Sequence, residues 1–229
     1  SQAHQLERKI FIGILAASLL ALALAILLPG GRVVDKAPKL PWLIETDGAG
    51  NTSVFGITLG VSTLAQARDV FQAQGETNLF ASAEPIFTVE SYFQRLFLSG
   101  LRGDLVLTLE VDPATASGMY ERGLRISQLG SGAKKEKLSE EDLSSLAHAA
   151  IRHITYIPAA DLEPALVAQR FGEPLRRIQE AGGISHWLYP DKGLDIAINP
   201  DGKEVLQYIN PADFSRIIEP LQNNAAGSG

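Results

Sequence analysis

Between Ile10 and Leu28 the chain reads IFIGILAASLLALALAILL, nineteen residues without a charge. At helical rise this run extends about 28 Å, close to the ~30 Å hydrocarbon core of a bilayer. It has no polar face to offer to water, which disfavours a buried soluble helix. A cleaved signal peptide has a shorter apolar region, about 7–15 residues, ending in a small-residue cleavage site. Here Pro29-Gly30-Gly31-Arg32 follows instead. The run therefore predicts an uncleaved transmembrane signal-anchor over 10–28, with residues 1–9 as a cytoplasmic tail. Arg8 and Lys9 precede it while Arg32, Lys36 and Lys39 follow, so counting basic residues does not orient it. The direct abutment of Arg8 and Lys9, as in an n-region, predicts a bacterial inner-membrane protein with its C-terminal domain in the periplasm. Gly13, Ala17 and Ala21 recur at four-residue spacing, a pattern that lets membrane helices approach closely, with a simple lipid-facing anchor as the alternative.

Residues 1–42 carry five Lys or Arg against Glu7 and Asp35, so a net charge of −6 leaves −9 on the remainder. An acidic domain is a poor fit to nucleic acid, which attracts basic stripes. Lys134, Lys135 and Lys137 form a basic cluster and read as a solvated hairpin tip. Cysteine is absent, which excludes disulfide frameworks, thiolate metal sites and cysteine nucleophiles.

Beyond the apolar run, residues 29–52 are rich in Pro, Gly and Asp and read as a linker. Trp42 suits either the membrane headgroup level or the first core aromatic of the domain. A helix is predicted from Ser62 toward Gln74, with Leu64, Ala67, Val70 and Phe71 at helical spacing. Alternation in Phe87–Phe93, Leu105–Val111 and Leu124–Ile126 then predicts an antiparallel meander. Ser139 heads a second helix whose apolar stripe is Leu143, Leu146, Ala150 and Ile151. A third helix spans about 161–171, and short strands follow at 175–179, 184–189, 194–198 and 204–209. Pro190-Asp191-Lys192-Gly193 and Asn199-Pro200-Asp201-Gly202 specify tight turns, and Asn210-Pro211 opens a last helix that stops before Pro220. The fold class expected is α+β: a single transmembrane helix, then two tandem helix plus antiparallel-sheet units at 53–155 and 156–222, with 223–229 as a flexible tail.

The segment Ala165-Leu166-Val167-Ala168-Gln169-Arg170-Phe171-Gly172-Glu173-Pro174, leading to His186-Trp187-Leu188-Tyr189-Pro190, resembles the small domains of the BamE/SmpA-OmlA-like envelope proteins. In these a helix ends in a Phe-Gly-x-Pro or Leu-Gly-x-Pro turn before an aromatic-bearing hairpin. The first unit, from Gly60-Val61-Ser62 to Phe71 and Gly75, is similar in a looser way. The resemblance implies a non-catalytic scaffold of envelope assembly complexes. The chain departs from that family in lacking a lipidated cysteine.

Reactive constellations are sparse. His148 and His153, five apart, fall about 140° around a helix and share no face. Asp191, Asp195, Asp201 and Glu204 are dense, yet their spacing departs from a calcium loop. Gly130-Ser131-Gly132 has neither the nucleophile-elbow nor the phosphate-loop register. No cofactor and no metal are expected. His186 and Trp187 alternate across a strand, so one faces the core and the other solvent or a partner, in an order the sequence leaves open. The sequence thus predicts a non-enzymatic accessory or assembly subunit binding other proteins of a membrane complex, with Trp42, His186, Trp187 and Tyr189 as candidate interface residues. A membrane-tethered envelope hydrolase and a ligand-binding sensor domain are the alternatives.

Overall fold

The computed structural model describes Gln5, Ile12, residues 14–21, Ala23, residues 37–82 and residues 86–226. The chain divides into two units, Ser1–Ala37 and Pro38–Gly229. In the first, the described residues before 37 are helical and exposed. Among the described residues no helix is long and apolar enough to cross a membrane, which corrects the expected fold class with its transmembrane helix over 10–28. Gly13 lies outside the described residues, while Ala17 and Ala21 are exposed helical positions.

The second unit is α+β and mostly sheet. A small antiparallel sheet is built from β1 (Glu45–Thr46), β2 (Thr52–Val54) and β3 (Ile57–Thr58). The N-terminal part of the main sheet comprises β4 (Glu76–Ala81), β5 (Phe87–Leu98), β6 (Leu101–Leu109), β7 (Arg125–Gln128) and β8 (Lys134–Lys137). The C-terminal part comprises β9 (Ile151–Pro158), β10 (Arg176–Gln179), β11 (Ser185–Tyr189), β12 (Leu194–Ile198) and β13 (Val205–Ile209). All ten join in one antiparallel sheet of order β10-β11-β12-β13-β9-β6-β5-β4-β8-β7. The expectation of two tandem units is corrected here. Strand β9 pairs with β6 on one side and β13 on the other, so both halves share one continuous ladder.

Five helices accompany the sheet among the described residues: α1 (Leu64–Phe71), α2 (Pro113–Glu121), α3 (Glu140–Ser145), α4 (Pro164–Phe171) and α5 (Ser215–Ala226). Thr63, not Ser62, caps α1: its hydroxyl accepts from the Gln66 N–H, and the Gln66 side chain accepts from the Thr63 N–H. This reciprocal box satisfies two otherwise orphaned donors. Helix α1 stops at Phe71 because Gln72 turns left-handed, φ 50°. Helix α3 ends at Ser145, and Ile151, expected in its stripe, belongs to β9. Pro220 lies inside α5 instead of ending it.

Cross-strand partners share a face, which sorts the sheet's two surfaces. On the core face lie Leu79, Val89, Phe93, Leu105, Leu107, Ile154, Tyr156, Leu206, Tyr208, Ile196 and Leu194, all buried. The small sheet and α1, α2 and α4 bury their apolar stripes in the same core through Ile57, Leu64, Phe71, Met119, Val167 and Phe171. The fully buried Tyr208 hydroxyl donates to the Pro41 carbonyl at 2.9 Å. Trp42 meets Phe171 edge-on at 6.3 Å and lies under the Arg170 guanidinium at 4.8 Å. Residues 38–52 are therefore part of the compact unit, not a tether, and Trp42 is a core aromatic.

Among the described residues of this unit, the opposite face is covered only at one end. There α5 packs Ile217 and Leu221, with Phe214 before it, on Ile178, Leu188 and Ile209. Two irregularities shape the sheet. Ser99 (φ 49°) and Gly100 (φ 87°) close the β5–β6 hairpin with two left-handed residues, the turn whose twist matches paired strands. In β9 the register with β6 shifts between Thr108 and Leu109, which pair with His153 and Ile151. Arg152 is the extra residue, and a bulge of this kind re-aims its side chain.

Candidate functional site

Strands β11 and β12 pair so that His186 lies opposite Ala197 and Leu188 opposite Asp195. That register sets His186 and Asp195 diagonally on the face that carries α5. His186 Nδ1 lies 3.0 and 2.9 Å from the two Asp195 carboxylate oxygens. On the other side of the ring, Nε2 is 3.1 Å from Glu180 Oε2. That second contact is out of line for a directed hydrogen bond and acts as an ion pair. Burial alone would lower the His186 pKa, but Asp195 and Glu180 together outweigh it and the net direction is up. Burial raises the Asp195 carboxyl, against the opposing pull of His186. The imidazolium form satisfies both carboxylates at once.

This charged ladder forms one wall of a groove of about 500 Å³. The bulge in β9 supplies Arg152 and His153, Gln207 comes from β13, and Arg216 and Ile217 come from α5. His153 is held neutral: burial and the neighbouring Arg152 charge lower its pKa to about 4. Its Nε2 has no hydrogen-bond partner. Beyond α5, the same face continues over β9, β6, β5 and β4 through Thr155, Val106, Thr108, Glu90, Tyr92 and Phe80. These side chains are half-buried, as on a flat sheet with no layer above it. Burial raises the Glu90 carboxyl.

A second groove, about 800 Å³, lies at the β7 end. Arg68, Arg125, Lys135 and Lys137 line it, together with Glu76 and Glu140. The lysines expected at a hairpin tip form strand β8, with Leu129–Ala133 as the tip. Glu136 between them is buried beneath Gly123, where a Cβ would stand 1.5 Å from its Oε1.

The sequence-derived interface residues are placed as follows. Trp187 is buried on the core face with the Arg177 guanidinium 4.3 Å from its ring centroid. Tyr189 is buried, donates to the Gly172 carbonyl at 2.9 Å, and has its hydroxyl pushed up to about 12, chiefly by burial. Neither presents a surface to a partner, and His186 opens only to the groove. The order left open for His186 and Trp187 resolves with the tryptophan in the core. Asp195, which the sequence offered only among four dense acids, is one of the two carboxylates flanking His186. Arg152 and Arg216 were not singled out by sequence reasoning.

The arrangement offers little for catalysis. Both imidazole nitrogens of His186 are engaged by carboxylates, leaving no lone pair to activate a hydroxyl. Because Asp195 and Glu180 sit on opposite sides of the ring, the three groups do not converge on one point, and no cluster of three metal-ligating residues exists among the described residues. Comparison of the chain with protein-family models, with curated proteins and with solved structures gives no match.

Proposed function

We propose that this chain is a non-enzymatic accessory or assembly subunit whose β-rich domain binds another protein through the open face of its sheet. The observation that carries this reading is the uncovered stretch over β4, β5, β6 and β9, where Phe80, Tyr92, Val106, Thr108 and Thr155 make a flat surface around one half-buried carboxylate, Glu90. Such composition, with two aromatic rings among mostly uncharged side chains, suits a protein interface. The saturated His186 ladder supports it from the other direction by withholding a general base. The location proposed is a membrane of the bacterial envelope, supported by the uncharged run at residues 10–28.

The test is purification of the full chain in mild detergent beside a Thr108→Arg, Thr155→Arg double variant. Wild type should bring down a stoichiometric partner that the variant loses while melting within about 3 °C of wild type, since both positions lie on the outer surface. A wild-type chain that purifies alone, or a partner that the variant retains, overturns the reading. Carbonate extraction of membranes tests the location, and a chain found wholly in the supernatant refutes it.

A further inference from the structure

We infer that the free edge of β7 is a docking site for an extended segment of a partner protein in which acidic and β-branched residues alternate, added to the sheet as an eleventh strand.

Three observations converge. The first is the backbone. Among the described residues β7 ends the sheet and pairs only with β8. The Leu129 N–H donates to the Ala133 carbonyl at 2.8 Å at the hairpin end, which makes Leu129 a residue whose N–H and C=O face β8. Antiparallel strands alternate in this respect. Ser127 and Arg125 therefore also point inward, and Ile126 and Gln128 turn their N–H and C=O to the open edge. An added strand would find these groups waiting.

The second observation is charge. Arg125 pairs with Lys137 and Ser127 with Lys135, so Arg125, Lys135 and Lys137 stand on one side of the β7–β8 ribbon. Arg68 lines the same groove from α1. Four cations there face two carboxylates, Glu76 and Glu140. Of these contacts, the Lys135–Glu76 pair is the one ion pair among the described residues, at 3.6 Å. The Arg125 and Lys137 side chains have no partner among the described residues. In a chain whose net charge is −6, this is a local positive site, and it selects an acidic strand over a neutral or basic one.

The third is the opposite side of the same ribbon. Ile126 is 51% exposed and the adjoining Leu124 60% exposed. A visiting strand places alternate side chains on alternate faces. Acids set against Arg125, Lys135 and Lys137 would therefore put the intervening residues beside Ile126, where β-branched side chains pack best. Edge lysines are also a common guard against unwanted strand pairing. Here the guard is one-sided in charge, so it repels basic strands and admits acidic ones.

Lys135 lies opposite Phe80 at the margin of the open face, whereas Thr108 and Thr155 stand further in, on β6 and β9, so the two sets of variants alter different strands. The test uses the full chain in mild detergent and a capped, fluorescein-labelled peptide of alternating Glu and Val, read by anisotropy. Saturable binding is expected, with no binding of the Lys-for-Glu counterpart. An Arg125→Glu, Lys135→Glu variant should abolish it. Ile126→Pro should weaken it about tenfold, because it removes one outward N–H while leaving the β8 pairing intact; proline is tolerated at such edge positions. A peptide N-methylated at alternate residues should bind about tenfold more weakly to the unaltered protein, a control independent of the variant's folding. Failure of the wild type to bind overturns the proposal. So does binding that is insensitive to both backbone blocks, which would reveal charge attraction without strand addition.

Discussion

The two ends of the sheet are built on different plans. At the β10 end, α4 and the small sheet lie on one face and α5 on the other, so Leu188, Ile209 and Tyr208 are shielded from water on both sides. At the β7 end the strands are short, β7 is exposed along its whole length, and no helix among the described residues of this unit covers the outer face. The difference lies in what each end does with polar groups. The two-sided end buries His186, Asp195 and Glu204 and must partner them, the last through the Leu162 N–H at 2.9 Å. The one-sided end buries one carboxylate, Glu136, whose Oε2 has no hydrogen-bond partner among the described residues, but exposes Arg125, Lys134 and Lys137 and leaves backbone groups free. Stability is concentrated at the first and availability for binding at the second.

The sharpest way to break this contrast is to truncate equivalent apolar groups at both ends. Leu188→Ala, at a fully buried position under α5, should lower unfolding free energy by about 4 kcal/mol, the transfer of the lost atoms plus the cavity left behind. Urea denaturation reads it, and a loss under about 1 kcal/mol would show that α5 is not firmly seated. Acid sharpens the comparison next. The pKa of His153 is lowered in the folded chain to about 4, from 6.5 for an ordinary histidine. Its contribution is present above pH 6.5 and is lost as pH falls toward 4, by about 3 kcal/mol in all. His153→Gln should flatten the stability profile across that window, while a profile as steep as wild type would assign the acid sensitivity elsewhere. His186, with its pKa raised, has the opposite sign: its contribution is complete below 6.5 and fades at higher pH. The smallest effect belongs to the one-sided end. Ile126→Ala should cost less than about 1 kcal/mol, since half the side chain is already in water. A loss near that of Leu188→Ala would mean β7 is not a free edge.

Where the chain announces its own turns, it was legible. Pro190–Gly193 and Asn199–Gly202 delimit β11, β12 and β13 within a residue or two of their observed bounds, because proline, aspartate and glycine preset the backbone locally. Helix α2 went unread although Asp112-Pro113 is the same cap-and-proline signature that was used at Asn210-Pro211. The central strand β9 was hidden for a physical reason. Its bulge adds one residue, so the buried Ile151 and Ile154 fall three apart, which is helical spacing, and the pattern merged with the stripe of α3. β8 was hidden by composition, since three of its four residues are lysine. The His186–Asp195 contact required strand register, which no local pattern encodes. Trp42 and Tyr208 likewise meet the rest of the core only through contacts far apart in sequence.

The position of β9 has a consequence for synthesis. Forty-one residues separate the end of β6 at Leu109 from the start of β9 at Ile151. At typical translation speeds the ribosome takes about 2–8 s to make them. Through that interval the nascent chain holds β6 as an unpaired margin, rich in leucine, with β13 later still. Whatever attends this protein at birth, chaperone or neighbouring copy, meets that margin before the strand that seals it exists.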